Sequence, residues 1–242
     1  MATRDNAYTG FVVYALTAHS VTLADASLKL FDAGLWVEAT ALVRQVVETA
    51  WTAVWVEAFG TTAARALVHE QTRNARNTMN TFLSAGLESG QVHPEALTRT
   101  LDELDRAASP PGRTFEARCA DLQGGDRVYA VYRGLSQYCH ASTIVVDLYV
   151  HAVEKTPTTP DGLVVSVQPR AGDFEFWFDI VPVMLLHARL AWVRLDRTRA
   201  DRTRLKELAR SFGVGARPVK TAVGLRRERE RERAWKAKRT GR

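Results

Sequence analysis

Residues 35–60 read LWVEATALVRQVVETAWTAVWVEAFG, and this stretch decides the fold. Leu35, Ala39, Leu42, Val43, Val46, Val47, Ala50, Trp51, Val54 and Ala58 recur at three- and four-residue steps. Wound at 3.6 residues per turn, they cover most of the helix circumference, which predicts a central helix of a bundle. Gly60 ends it. Trp36, Trp51 and Trp55 fall at helical spacing and read as core, with a base-stacking platform as the other reading.

Working outward, residues 6–32 predict a first helix, closed by Gly34. Val12, Ala15, Leu16, Leu23, Leu28 and Leu30 supply its apolar positions. A third helix covers 61–85, and Pro94 opens a fourth over 94–107. Ser109-Pro110-Pro111-Gly112 reads as a loop. Gly124-Gly125 precedes a long helical run over 126–154. Leu163–Val167 reads as a short strand or an extended lid, and 173–210 as helix bent near Pro182. Gly213, Gly215 and Pro218 mark a linker, and 222–239 is a charged segment that forms a solvated helix or stays disordered. The expectation is all-α: a bundle of about six helices, an extended or β insertion near 163–168, and a basic tail. The bundle spans 1–212, and the basic linker and tail span 213–242.

The 242 residues are 46% hydrophobic and 25% charged, too apolar for a disordered chain and too charged for a membrane bundle. The net charge of +6 is uneven. Residues 1–188 hold 14 basic and 21 acidic side chains, and residues 189–242 hold 19 basic and 6 acidic. Such an end favours phosphate-rich partners through Coulomb attraction and counterion release. Arg226, Arg227, Arg229, Lys236, Lys238 and Arg239 are its candidate nucleic-acid contacts, against a solvated helix of paired charges. Two cysteines, Cys119 and Cys139, without a CxxC pair, fit a reduced cytoplasmic setting. No signal peptide is read at the N-terminus. The charges within 35–59 and 176–195 argue against membrane spans.

The chemistry-bearing segment is Tyr129 to Ser142, YAVYRGLSQYCHAS. Read as helix, it places Arg133 and His140 on one face, with Ser136 and Gln137 between them and Tyr129 and Asp147 near the same stripe. A guanidinium matches phosphate oxygens, and an imidazole can take or give a proton near neutrality. RNA carries its own nucleophile, the 2′-hydroxyl, so this pair suits RNA cleavage with no metal and no cofactor. A symmetric dimer would bring two such pairs into one cleft. The plainer alternative is an Arg133 that caps a loop or pairs with Glu48, beside a satisfied core histidine.

Arg133-x6-His140 resembles the R-x4–6-H motif of the HEPN superfamily. Many of its members are metal-independent ribonucleases of toxin–antitoxin, abortive-infection and CRISPR systems. The wider pattern, Tyr132 to His140, resembles an uncharacterised bacterial all-helical family with a Tyr-Arg-x-Leu-Ser-x-x-x-His signature. That family also carries an early Arg-x-x-x-Glu pair, here Arg44 and Glu48. The resemblance implies that Arg133 contacts the scissile phosphate and His140 acts as acid or base. It further implies RNA as substrate, a homodimer, and an antitoxin or regulatory partner. Tyr132 and Ser136 belong to the motif as supporting residues. Gly134 departs from the superfamily, where a polar residue often follows the motif arginine.

Arg44 and Glu48 are neighbours on the most apolar helix and should be paired. They read as a structural ion pair, or Glu48 orients Arg133 or His140. Asp147 and His151 fall short of a metal site. The alternative to a nuclease is a non-catalytic interaction protein whose basic tail binds nucleic acid or an acidic partner.

Overall fold

A computed structural model describes residues 4–87, 95, 98–99, 114–170, 172, 174–196, 198, 201–215 and 217–240. Its described side chains run from Ala7 to Arg233. Nine helices are described: α1 (Arg4–Asp32), α2 (Trp36–Ser84), α3 (Phe115–Ala120), α4 (Gly125–Ser136), α5 (Thr143–Tyr149), α6 (Glu175–Phe178), α7 (Ile180–Leu195), α8 (Arg202–Ser211) and α9 (Ala222–Thr240). One two-stranded antiparallel sheet joins β1 (Val150–Ala152) to β2 (Leu163–Val165), with Val150 opposite Val165. The protein is an all-α bundle with a short β insertion. The expected helix over 94–107 and the loop at 109–112 lie almost wholly outside the described residues.

α2 is the central element, packed against α1, α7 and α4. Val46, Val47, Ala50, Ala53, Trp55 and Val56 are fully buried, so most of the circumference of this segment is covered, while Glu38 and Gln45 remain exposed. Gly60 takes a left-handed φ of 65° and kinks α2 into two helical arms, where the sequence predicts one helix to end and the next to begin.

α1 returns against α2 through the turn at Gly34. Its buried stripe is Thr9, Val13, Thr17, Ser20, Ala24 and Ser27. These small residues let the two helices approach closely, and the hydroxyls find acceptors. Ser20 Oγ donates to Thr17 O and Ser27 Oγ to Ala24 O, both at 2.8 Å, and Thr17 donates across to Ala188 O at 3.2 Å. The bulkier Phe11, Tyr14, Val21 and Leu28 face outward.

The helix expected over 173–210 is interrupted twice. Asp179 separates α6 from α7, and Pro182 then sits in the first turn of α7, where a missing N–H leaves no helical bond unmade. Asp196 is extended (φ −70°, ψ 129°), which ends α7, and Asp201, left-handed (φ 60°), precedes α8. Leu186, Leu190, Ala209 and Val214 form a small second core between α7 and α8.

Two helical stretches, Ala7–Asp32 and Glu175–Leu195, have the length and hydropathy of a membrane span. The second overlaps the stretch 176–195, whose charges are expected to argue against a span: eighteen consecutive residues within it carry at most two charges. In the bundle this stretch buries Val181, Met184, Ala188 and Ala191 in the main core.

α9 packs back on the body through charge. Asp121, fully buried after α3, accepts from Trp55 Nε1 and from Arg227 Nη1, both at 2.9 Å. Arg231 Nη1 lies 3.7 Å from the same carboxylate and its guanidinium covers the Trp55 and Phe59 rings. Gly224 faces the Asp121 carbonyl so closely that a Cβ there would lie 2.3 Å from the oxygen.

Candidate functional site

The long helix expected over 126–154 is broken. α4 ends at Ser136, residues 137–142 turn, α5 runs only to Tyr149, and β1 follows. At the break the backbone tightens: Gln137 N, Tyr138 N and Cys139 N bond three residues back, to Gly134 O, Leu135 O and Ser136 O. Side chains also bond to carbonyls around it. Ser136 Oγ donates to Tyr132 O at 2.7 Å, Cys139 Sγ to Leu135 O at 3.3 Å, and Ser142 Oγ to Gln137 O at 2.9 Å. Ser142 Oγ also accepts from Val145 N at 3.4 Å and so caps α5.

Arg133 and His140 therefore do not share a helix face. Arg133 sits in the last turn of α4, and His140 lies in the turn beyond it. The reversal of the chain nonetheless brings both to the wall of one open cavity of about 540 Å³. Arg44, Tyr132 and Ser136 line it too, as do Tyr129 and Gln137, and Phe115 and Glu116 of α3 close one side. Asp147 is exposed on α5 and is not among the lining residues. Arg133 and His140 are both exposed, and among the described residues neither is held by a hydrogen bond or an ion pair.

Arg44 reaches the cavity from α2. Its Nε donates to Ser136 Oγ at 2.9 Å, and Nη2 donates to the Tyr132 hydroxyl. Its guanidinium carbon also lies 4.4 Å from the centre of the Tyr132 ring. Tyr132 in turn packs on Phe115 and stacks with Tyr129 at 6.1 Å and 18°. Burial pushes the Tyr132 phenol up, and the Glu48 carboxylate adds to this, so it stays a neutral hydroxyl.

Glu48 lies 4.0 Å from Arg44, a long ion pair. Its charge also favours the cation of Arg118, a buried guanidinium that donates to Thr52 at 3.2 Å. Burial lowers the Arg118 pKa, and Glu48 and Glu70 oppose that shift. Glu48 thus joins the arginines behind the cavity, and it is not itself among the lining residues.

Gly134 has a packing reason. A Cβ there would lie 2.5 Å from the Trp177 ring, so the position is filled by the indole of α6. The cysteines offer no activated thiolate. Burial pushes the Cys119 thiol up to about 12 and raises Cys139 as well. Among the described residues no group of three or more His, Cys, Asp or Glu side chains is placed to hold a metal ion.

The tail residues divide. Arg226 and Arg229 are exposed on α9, while Arg227 pairs with Asp121. Lys236, Lys238 and Arg239 lie outside the described side chains. Sequence reasoning missed Asp121, Arg118 and the α3 wall, because a lone acid, a lone arginine and a six-residue helix carry no spacing signal.

A family model described as a family of unknown function (DUF5677) matches residues 10–156. That span runs from within α1 through β1 and holds every residue of the cavity wall. No curated protein and no solved structure matches the chain.

Proposed function

We propose that this chain, which belongs to the DUF5677 family of unknown function, is a HEPN-like RNA-binding protein that cleaves RNA without a metal. The observation that carries the reading is the convergence of Arg133 and His140 on one open cavity from separate pieces of backbone. The likeness of their spacing to the HEPN motif gives the convergence its chemistry. A toxin or defence role, an antitoxin or regulatory partner and a cytoplasmic setting belong to the same reading.

The ribose 2′-oxygen attacks the adjacent phosphorus, and its proton passes to the His140 imidazole. The P–O5′ bond breaks, leaving a 2′,3′-cyclic phosphate. The departing 5′-oxygen takes a proton from water or from the imidazole of a second copy in a symmetric pair. Arg133 places a fixed positive charge beside the phosphoryl oxygens as charge develops there. Arg44 ties Tyr132 and Ser136 to α2 and so positions the cavity wall. The outward row of Phe11, Tyr14 and Val21 on α1 gives an apolar face through which two copies could pair.

The test is RNA cleavage by the purified chain in EDTA, beside His140→Ala and Arg133→Ala, with folding followed by circular dichroism. Cleavage by the wild type, lost by roughly a hundredfold or more in folded variants, is the expected result. Equal cleavage by all three would overturn the assignment of His140 and Arg133.

The exposure of Arg226, Arg229 and Arg233 favours a second reading. In it α9 holds nucleic acid or an acidic partner and the cavity is not catalytic. Removing these charges would then abolish binding, while His140→Ala would leave it intact.

A further inference from the structure

A second concave site lies where α7, α8 and the segment before α9 meet α2. Two adjoining chambers, of about 310 and 210 Å³, share Arg194, Arg202 and Arg217. Lys220 lines the larger chamber and Lys206 the smaller. Glu57, the acid on the wall, is already held by Arg194 through two bonds of 2.9 Å. Lys220 is likewise paired with Glu228 at 2.6 Å. That leaves Arg202, Lys206 and Arg217 with no carboxylate partner among the described residues.

Arg202 and Lys206 are four residues apart, hence neighbours on one face of α8. Arg217 lines both chambers from the segment before α9. Like charges brought together in a cleft repel one another, and an anion between them reverses the sign of that energy. Two guanidinium forks from separate elements on one cleft suit the oxygens of a phosphate. The smaller chamber is floored by buried Leu190 and Val193, so it accepts an apolar or planar group beside the phosphate. Along α2, Arg44 and Glu57 are about 20 Å apart at 1.5 Å per residue, so the cleft is separate from the Arg133 cavity.

We propose that this cleft binds a phosphate-bearing anion, with the phosphate between Arg202 and Arg217 and an attached apolar or planar group over Leu190 and Val193. A bound phosphate would also clip the Arg217–Lys220 segment, and through it α9, to the body. The proposal does not rest on the nuclease reading.

The experiment is calorimetric titration of the full chain with inorganic pyrophosphate, adenosine monophosphate and a short single-stranded RNA at low salt. Wild type is compared with Arg202→Glu/Arg217→Glu and with Arg204→Gln/Arg210→Gln, two exposed arginines of α8 that line neither chamber. Pyrophosphate and the mononucleotide are expected to bind wild type and Arg204→Gln/Arg210→Gln alike, and at least about tenfold more weakly to Arg202→Glu/Arg217→Glu. Should charge reversal perturb the fold, Arg202→Gln/Arg217→Gln gives the same comparison. A parallel loss of RNA affinity would identify chain phosphates as a source of the ligand, and unchanged RNA affinity would identify free phosphate esters. Absence of binding by wild type for both small anions, or equal binding by Arg202→Glu/Arg217→Glu, overturns the proposal.

Discussion

Arg44 on α2 donates from Nε to Ser136 Oγ at 2.9 Å, across 92 residues of chain. The same guanidinium holds the Tyr132 hydroxyl. One side chain of the central helix therefore fixes both the last turn of α4 and the place where that helix stops. The geometry of the cavity depends on this tie, because Arg133 lies between the two residues that Arg44 holds.

Arg44→Met keeps much of the side chain's volume and removes the donors. It is expected to cost about 1.5–3 kcal/mol, the range for hydrogen bonds to charged groups, and Ser136→Ala about 1 kcal/mol. The two losses should not add: the double variant should fall short of their sum by at least about 0.5 kcal/mol. Urea unfolding of the four proteins measures this, and simple additivity would mean that the bond carries no stability.

Glu48→Gln separates a structural acid from an orienting one. Glu48 faces Arg44 and supports the buried Arg118 cation, so the substitution is expected to destabilise the fold by about 1–3 kcal/mol. RNA cleavage per folded molecule should change little. A large loss of cleavage at unchanged stability would instead make Glu48 a positioning residue for Arg133 or His140.

Asp121→Asn attacks the lock on α9. The carboxylate is fully buried, with Trp55, Arg227 and Arg231 around it. Burial already lowers the Arg231 pKa, and Asp121 is the first of the charges opposing that shift. Breaking such a buried pair from one side is expected to cost about 3–5 kcal/mol, because a buried cation loses its partner. Limited trypsin digestion should then cut within 222–240 earlier than in wild type. Unchanged cleavage kinetics would show that α9 is held by something other than this cluster.

His187 gives the fold a pH dependence. Burial, with Arg194 nearby, lowers its pKa from 6.5 to about 4, and its ring meets Trp51 edge-on at 5.6 Å. In the unfolded chain the imidazole takes up a proton below about pH 6.5, and in the folded chain only below about 4. Between these values the unfolded state binds more protons, so stability is complete above pH 6.5 and falls as pH drops. The loss reaches up to about 3 kcal/mol near pH 4. Urea midpoints for wild type and His187→Gln across this window should converge at low pH. A constant gap between the two curves would contradict the shift.

The reach of the sequence follows the physics of each signal. The central position of 35–59 was legible, because an apolar arc so wide has no other home, and so was the break at Gly60. On α1 the expected Val12, Leu16 and Leu23 do pack, partly buried, against the core, but Leu28 faces outward and the most deeply buried positions include Thr17, Ser20 and Ser27. Close packing of two helices rewards small side chains, and hydropathy does not register that. The break after Ser136 was hidden because it is a switch of backbone bonding at 137–139 to carbonyls three residues back, followed by a fresh cap at Ser142, and hydropathic periodicity does not encode either. Arg133 and His140 could be singled out by residue type and spacing, though the face they were expected to share does not exist. Asp121 and its arginines come together only by the return of α9, which no local pattern announces.

Gly134 and Trp177 form a pair whose coupling has a definite sign. Gly134 lies inside α4, where alanine would ordinarily be favoured by about 0.5–1 kcal/mol because glycine loses more backbone freedom. The Trp177 ring sits where that Cβ must go, at 2.5 Å, and it is itself packed against Phe176 and Tyr138, so it has little room to yield. Gly134→Ala alone is therefore expected to destabilise by about 1–3 kcal/mol, the usual range for overpacking. In a Trp177→Leu background the obstruction is gone, and the same substitution should become stabilising by about 0.5–1 kcal/mol. Thermal unfolding of the four proteins reads the reversal directly. If Gly134→Ala has the same effect in both backgrounds, the indole does not account for glycine at the position that follows Arg133.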